Sequence, residues 1–242
     1  MARKTTAAAV LAVPPLAVAA LSFFAARAGA LTSAALGCLA AFALCDAWYF
    51  ARLASNAVAE ALTARGLVQA KPRRALLAVG ELPGRVLPGD IDRNGHCNNA
   101  RFLRECGFAR RDFWQRNGLW RVLTAHGGNL IVGSQNVRYR RELALGEAYA
   151  LETRVRCWDA RAFYVEHRFV TRRPGGGKPF VNAIVLVKNS VLGPLSPAQL
   201  VAALLPELDD KARASPSVPE DIAAWILSND ISSKMLRAES GL

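Results

Sequence analysis

The chain has 242 residues, a formal charge of +12 and a sequence pI near 10.2, which is length for one sizeable core domain plus appendages. So basic a chain favours an anionic partner, but no zinc finger, glycine-rich recognition motif or aromatic RNA-binding signature is present, so nucleic acid is not the expected one. The five cysteines, at 38, 45, 97, 106 and 157, form an odd set without a CxxC pair, which argues against a disulfide framework or a structural zinc site and for a reducing compartment.

The first fifty residues hold only four charges, Arg3, Lys4, Arg27 and Asp46. Residues 7–26 run without a charge, long enough to cross a hydrocarbon core of ~30 Å at about 1.5 Å per residue. A second apolar stretch, Ala30 to Ala51, is interrupted only by Asp46 and ends in Trp48, Tyr49 and Phe50 before Arg52, as at an interfacial helix end. Three topologies are open. Two spans would form a hairpin and leave the Arg-rich remainder in the cytosol, with the endoplasmic reticulum as the expected membrane. Alternatively, Ala28-Gly29-Ala30 marks a signal-peptide cleavage site and the chain enters the secretory pathway. In the third, Pro14-Pro15 weakens the first stretch and only the second anchors.

Residues 52–80 read as an amphipathic connector carrying Leu53, Val58, Leu62 and Leu67 and ending in the basic run at 71–74, which suits either lipid head groups or solvent. Leu82 to Leu87, with Pro83, Gly84 and Pro88 interrupting it, reads as a short edge strand. A helix follows, capped by Asn98 or Asn99: Phe102, Cys106, Ala109 and Phe113 recur at helical spacing, and Gly118 stops it. The period then shifts towards two over Leu130–Arg141, Glu147–Trp158, Ala162–Arg173 and Phe180–Leu192, with connectors short enough for antiparallel hairpins. Two helices, Pro197–Leu205 and Pro219 to about Arg237, close the chain. The fold class expected is α+β, an antiparallel β-sheet wrapped around a central α-helix, with a hydrophobic N-terminal membrane anchor. The expected organisation is a hydrophobic segment over 1–51, the connector over 52–80, the sheet-and-helix domain over 81–206, and a linker with a C-terminal helix over 207–242.

The stretch DIDRNGHCNN, residues 90–99, concentrates polar chemistry at the mouth of that central helix. In extended or turn-like chain Asp92, Asn94 and His96 stand at i, i+2 and i+4 and project to one side. A carboxylate beside a helix N-terminus supplies a base or nucleophile together with amides for an oxyanion, which is the equipment for acyl hydrolysis. A metal is not expected, because His126 and His167 lack ligand spacing to this cluster. Cys97 is a poor partner for adjacent His96, since neighbouring side chains diverge. The bland reading is that the motif only shapes the helix entrance, through turn and capping bonds. Arg172, Arg173 and Lys178, around a glycine run, either meet the phosphates of coenzyme A or solvate a hairpin tip.

DRNGHCNN, followed by ARFLRE and FARRDFW, resembles the hotdog-fold acyl thioesterases, including the 4-hydroxybenzoyl-CoA thioesterase-like group and the plant acyl-carrier-protein thioesterases. LPGRVLPGDID, HCNNARFLRE, WDARAFYVEHRFV and the terminal LRAESGL are similar to the member six group of the thioesterase superfamily, over roughly residues 32–242. The resemblance implies a hotdog fold, a homodimer with sites between subunits, and an acyl-CoA or other acyl thioester as substrate, with coenzyme A as part of that substrate and no separate cofactor. It implies Asp92 as nucleophile or general base, Asn94 as its positioner and His96 as a donor to water or the thioester carbonyl. Arg140-Arg141-Glu142 matches the R-R-E run of the plant enzymes and adds Glu142, although Leu143 replaces the cysteine that follows there. The group also contains members without this asparagine, so a catalytically inactive hotdog module that binds acyl groups or a protein partner at a membrane is the alternative.

Overall fold

The computed structural model describes residues 16–24, 29–44, 46–172 and 177–241. The chain divides into two compact units, Met1–Ala70 and Lys71–Leu242.

In the first unit, residues 16–24 are helical (α1), followed by α2 (Ala30–Leu44) and α3 (Ala47–Ala64). The expected span over 7–26 falls largely outside the described residues. The second expected span, Ala30 to Ala51, is not one helix: Asp46 stops it by capping α3, its side chain accepting the Tyr49 N–H at 3.3 Å. Among the described residues no single helix is long and apolar enough to cross a membrane; Ala30–Phe42 and Ala47–Ala64 reach that length and composition only as a pair bent by 94°.

The second unit holds a five-stranded, wholly antiparallel sheet of order β1-β3-β4-β5-β2. Its strands are β1 (Gly80–Arg85), β2 (Asn129–Tyr139), β3 (Ala148–Trp158), β4 (Ala162–Thr171) and β5 (Phe180–Leu192). The central helix is α4 (Asn99–Arg116), capped by the Asn98 side chain, which accepts the Ala100 N–H at 2.9 Å. It ends before Gly118, whose φ of 85° lies in the left-handed region. Side-chain alternation then assigns the sheet's two faces. Leu151, Val165, Phe169, Val185 and Val187 point inward at Phe102, Cys106 and Phe113 of α4, whereas Cys157, Tyr164 and Leu186 point outward. Burying each large apolar side chain contributes about 1.5–3 kcal/mol, so the stripe on α4 accounts for its fixed place against the sheet.

Three further helices complete the unit. Leu119–Ala125, to which periodicity assigns nothing, forms the short helix α5, and its Leu119 and Leu123 are fully buried. In α6 (Pro197–Leu204) Ser196 and Gln199 form a reciprocal capping box. Helix α7 (Glu220–Glu239) lays Ile222 and Trp225 on the outer face of the sheet. It is tethered there by Arg156, which bonds both Asp221 at 3.2 Å and buried Glu166, and Glu166 is also held by Arg154 at 2.8 Å and Arg168 at 2.6 Å. An antiparallel sheet curled on one helix is the hotdog arrangement.

Candidate active site

Residues 91–97 form a tight hairpin leading into α4. Ile91 bridges to Cys97, the Asp92 N–H donates to the His96 carbonyl at 3.0 Å, and the Gly95 N–H donates to the Asp92 carbonyl at 3.0 Å. Gly95 turns the chain with φ of 78°, a conformation costly to any residue carrying a Cβ. The i, i+2, i+4 expectation holds for extended chain, and this turn changes it. Asp92 and His96 face each other across the hairpin, with His96 Nδ1 3.8 Å from Asp92 Oδ1, while Asn94 sits exposed at the tip and its N–H, not its side chain, bonds Asp92 Oδ1 at 2.8 Å.

The fourth sequence-derived residue reaches the cluster from 46 positions away in the chain. The Cys97 N–H donates to the Leu143 carbonyl at 2.9 Å and His96 bridges to Ala144, which brings Glu142 Oε2 to 3.8 Å from His96 Nε2. The imidazole therefore stands between two carboxylates, each slightly beyond direct hydrogen-bond length. Leu143, at the plant cysteine position, is fully buried among Cys97, Cys106 and Phe102.

Two supports escaped sequence reasoning. Buried Asp90 accepts the Leu87 N–H at 2.9 Å and pairs with Arg104 on α4 at 2.5 Å, locking the base of the hairpin to the helix. The signal lay in arginines at 101 and 104, one helical turn apart and facing back over the preceding loop. Asn182, fully buried in β5, donates to the Glu142 carbonyl at 3.1 Å and accepts from Thr171 at 2.8 Å. An asparagine among the apolar residues at the start of the strand was its signal.

The helix entrance is more fully occupied than expected. Asn98 takes the Ala100 N–H with its side chain and the Arg101 N–H with its carbonyl, leaving the Asn99 N–H as the first amide of the helix open to a ligand. Burial pushes the Cys97 thiol up to about 12, so it stays protonated and is no nucleophile at neutral pH. Among the described residues no group of three or more His, Cys, Asp or Glu is placed to hold a metal.

The phosphate-binding candidates lie elsewhere. Arg172 borders an open groove of about 560 Å³ floored by Pro83, Ala148, Ala150 and Val170, and stands 3.8 Å from Glu81. Lys178 is exposed, and Arg173 falls outside the described residues.

The sequence pattern of the thioesterase-like superfamily matches residues 86–226, the stretch that holds β2 to β5, α4 and the cluster at its mouth. The chain is 39% identical over 214 residues to Protein THEM6 of Xenopus laevis, covering 86% of this chain and 93% of that one. It is 40% identical over 206 residues to Protein THEM6 of Danio rerio, covering 85% and 94%. Among solved structures it is similar to the YbaW probable thioesterase of Escherichia coli, at 21% identity and a TM-score of 0.46, over 52% of this chain and 95% of that one. With the family pattern matched over 86–226 and relatives near two-fifths identity aligned over more than nine-tenths of their length, the chain belongs to the thioesterase-like superfamily and within it to the THEM6 proteins.

Proposed function

We propose that this chain is a membrane-anchored hydrolase of acyl thioesters, with a fatty-acyl-CoA as substrate and Asp92 as the assisting carboxylate. The observation that carries the reading is the convergence of Asp92, His96 and Glu142 beside the first turn of α4. Asp92 takes a proton from water as the water oxygen bonds to the thioester carbon. The positive end of α4, through the Asn99 N–H, steadies the oxyanion, and the C–S bond then breaks with the proton returned to the leaving thiolate. His96 orients the water or the carbonyl, Glu142 holds the imidazole, and Asn94 shapes the turn that presents Asp92. Arg172, Arg173 and Lys178 are the proposed contacts for coenzyme A phosphates. No cofactor enters this chemistry beyond coenzyme A as part of the substrate.

A second copy pairs at β2 in this reading. That strand is an 11-residue sheet edge with Ile131 and Val132 more than two-fifths exposed, an arrangement that invites strand pairing. The N-terminal segment anchors the protein to the endoplasmic reticulum with the hotdog unit in the cytosol. Supporting it are the exposed Leu31, Leu39 and Phe42 of α2 and the aromatics Trp48 and Phe50 that follow Asp46.

The test is thiol release from a panel of acyl-CoA esters by the purified full chain in mild detergent. Asp92→Asn keeps the acceptor for the Asn94 N–H but removes the base, and loss of general-base catalysis lowers kcat/KM by about 10²- to 10⁴-fold. Equal rates for the two proteins would remove Asp92 from the reaction. A second reading, an acyl-binding module without turnover, has one observation in its favour: Asp92 Oδ1 is already engaged by the Asn94 N–H. It requires acyl-CoA binding with no thiol release across the panel.

A further inference from the structure

The outward side of α7 carries a stripe that the thioesterase reading leaves unused. Ile222, Trp225 and Asn229 face the sheet, the last accepting the Ser134 hydroxyl at 2.9 Å on β2. These contacts follow one row of paired strand residues, Cys157, Tyr164, Lys188 and Ser134, so α7 crosses the sheet from β3 to its β2 edge. At 3.6 residues per turn the opposite side of the helix carries Ala224, Leu227, Ile231, Met235 and Ala238. All five are exposed, Leu227 to 61%, Ile231 to 50% and Met235 to 59%.

The spacing of this stripe reads the same in both directions. From Ile231 the next apolar residues lie four positions away on each side, and the small alanines three positions further on each side. A two-fold axis through Ile231 therefore sets Ile231 against its own copy, Leu227 against the partner's Met235 and Ala224 against the partner's Ala238. Self-complementarity of this kind is what an isologous contact requires. In the same alignment Lys234 meets the partner's Ser228 and Asp230 meets the partner's Ser232, so no like charges oppose each other. The helix carries four acids, Glu220, Asp221, Asp230 and Glu239, against two bases, Lys234 and Arg237. An acidic helix on a basic protein is poorly suited to an anionic lipid surface.

We infer that the outer face of α7 is a docking surface for the α7 of a second copy, packed antiparallel about Ile231. The stripe spans about 21 Å at 1.5 Å per residue, less than a standard-sized interface, so on its own it supports a weak, concentration-dependent association. Asn229 brings the helix to the β2 edge and Ile231 follows it by two residues, so the stripe lies beside that edge while pointing away from the sheet.

The pairing of Leu227 with the partner's Met235 supplies a specific test. Association of the full chain in mild detergent is measured by analytical ultracentrifugation, with thiol release and binding to phosphatidylserine vesicles followed on the same samples. Leu227→Lys and Met235→Glu should each raise the dissociation constant at least tenfold, by burying an unpaired charge. The double variant, which sets Lys against Glu twice across the axis, should return to within threefold of wild type. Both side chains are exposed, so folding and thiol release should be unchanged. Single variants that associate like wild type, or a double variant no tighter than the singles, would overturn the pairing. Loss of vesicle binding with association untouched would instead make the stripe a lipid face. Because thiol release is scored separately, none of these results bears on the hydrolase reading.

Discussion

Asp90 offers a quantitative check on how the candidate site is held. Its carboxylate is about one-tenth exposed, accepts the Leu87 N–H at 2.9 Å and pairs with an equally buried Arg104 at 2.5 Å. Asp90→Ala removes an acceptor whose net value is about 1 kcal/mol and strands a guanidinium, for which breaking a buried pair costs about 3–5 kcal/mol. Arg104 retains Glu105 at 3.3 Å, which offsets part of that. The expected loss is therefore about 2–4 kcal/mol, a fall in Tm of about 5–15 °C for a unit of this size. Asp90→Asn keeps an oxygen for Leu87 and should lose only about 1–2 kcal/mol. In the double variant Asp90→Ala/Arg104→Met no charge is stranded, so the two changes should be less than additive by at least about 1.5 kcal/mol. Urea unfolding followed by near-ultraviolet circular dichroism measures all five proteins: wild type, the two Asp90 variants, Arg104→Met and the double variant. Strict additivity, or an Asp90→Ala variant within about 0.5 kcal/mol of wild type, would refute the claim that this pair locks the hairpin to α4.

Other consequences follow from buried groups around the same helix. His167 is wholly buried against Thr153, and burial together with the Arg110 charge holds its pKa well below the usual imidazole value. It is thus neutral when folded, and its contribution is present above the unfolded value of about 6.5 and lost as pH falls below it, by up to about 1.4 kcal/mol per pH unit. Urea midpoints between pH 7 and pH 5 should decline more steeply for wild type than for His167→Gln, and equal slopes would count against this. Cys97, with its thiol near 12, should resist iodoacetamide at neutral pH in the native protein, and Cys97→Ala should retain thiol release within about threefold; abolished release would reinstate it as a nucleophile. Asn182→Ala leaves the Glu142 carbonyl and Thr171 without their buried partner, at a cost of about 1–3 kcal/mol. If Glu142 matters, thiol release should fall more in that variant than in a surface substitution of equal destabilisation.

The parts of this fold legible in the sequence are those whose physics is periodic. The stripe Phe102, Cys106, Ala109, Phe113 located α4, and alternation located β3 to β5 within two residues at each end. Helix α5 was illegible because its seven residues complete barely two turns between glycines, and only tertiary contact with α6 shows which of them are core. Strand β1 begins at Gly80, ahead of its first apolar residue, because pairing with Thr153 and not hydrophobicity sets its start. The break at Asp46 was visible as a residue but not as a cap, since hydropathy counts one charge in twenty as tolerable whereas a side chain accepting the Tyr49 N–H redirects the helix.

The same distinction separates the two acids of the DIDRNGHCNN stretch. Asp90 and Asp92 are two positions apart and chemically identical, and both accept a local backbone N–H. What divides them is a non-local event: Arg104, one turn into α4, closes on Asp90 at 2.5 Å, while the His96 imidazole stands 3.8 Å from Asp92. A carboxylate held by a buried guanidinium is anchored in place, because moving it breaks a buried pair. Arg104 thus fixes Asp90 as structure, Asp92 is the hairpin carboxylate that faces His96 and to which the proposed reaction assigns the role of base, and Glu142, delivered by the Leu143 bond to Cys97, reaches the same imidazole from outside the motif.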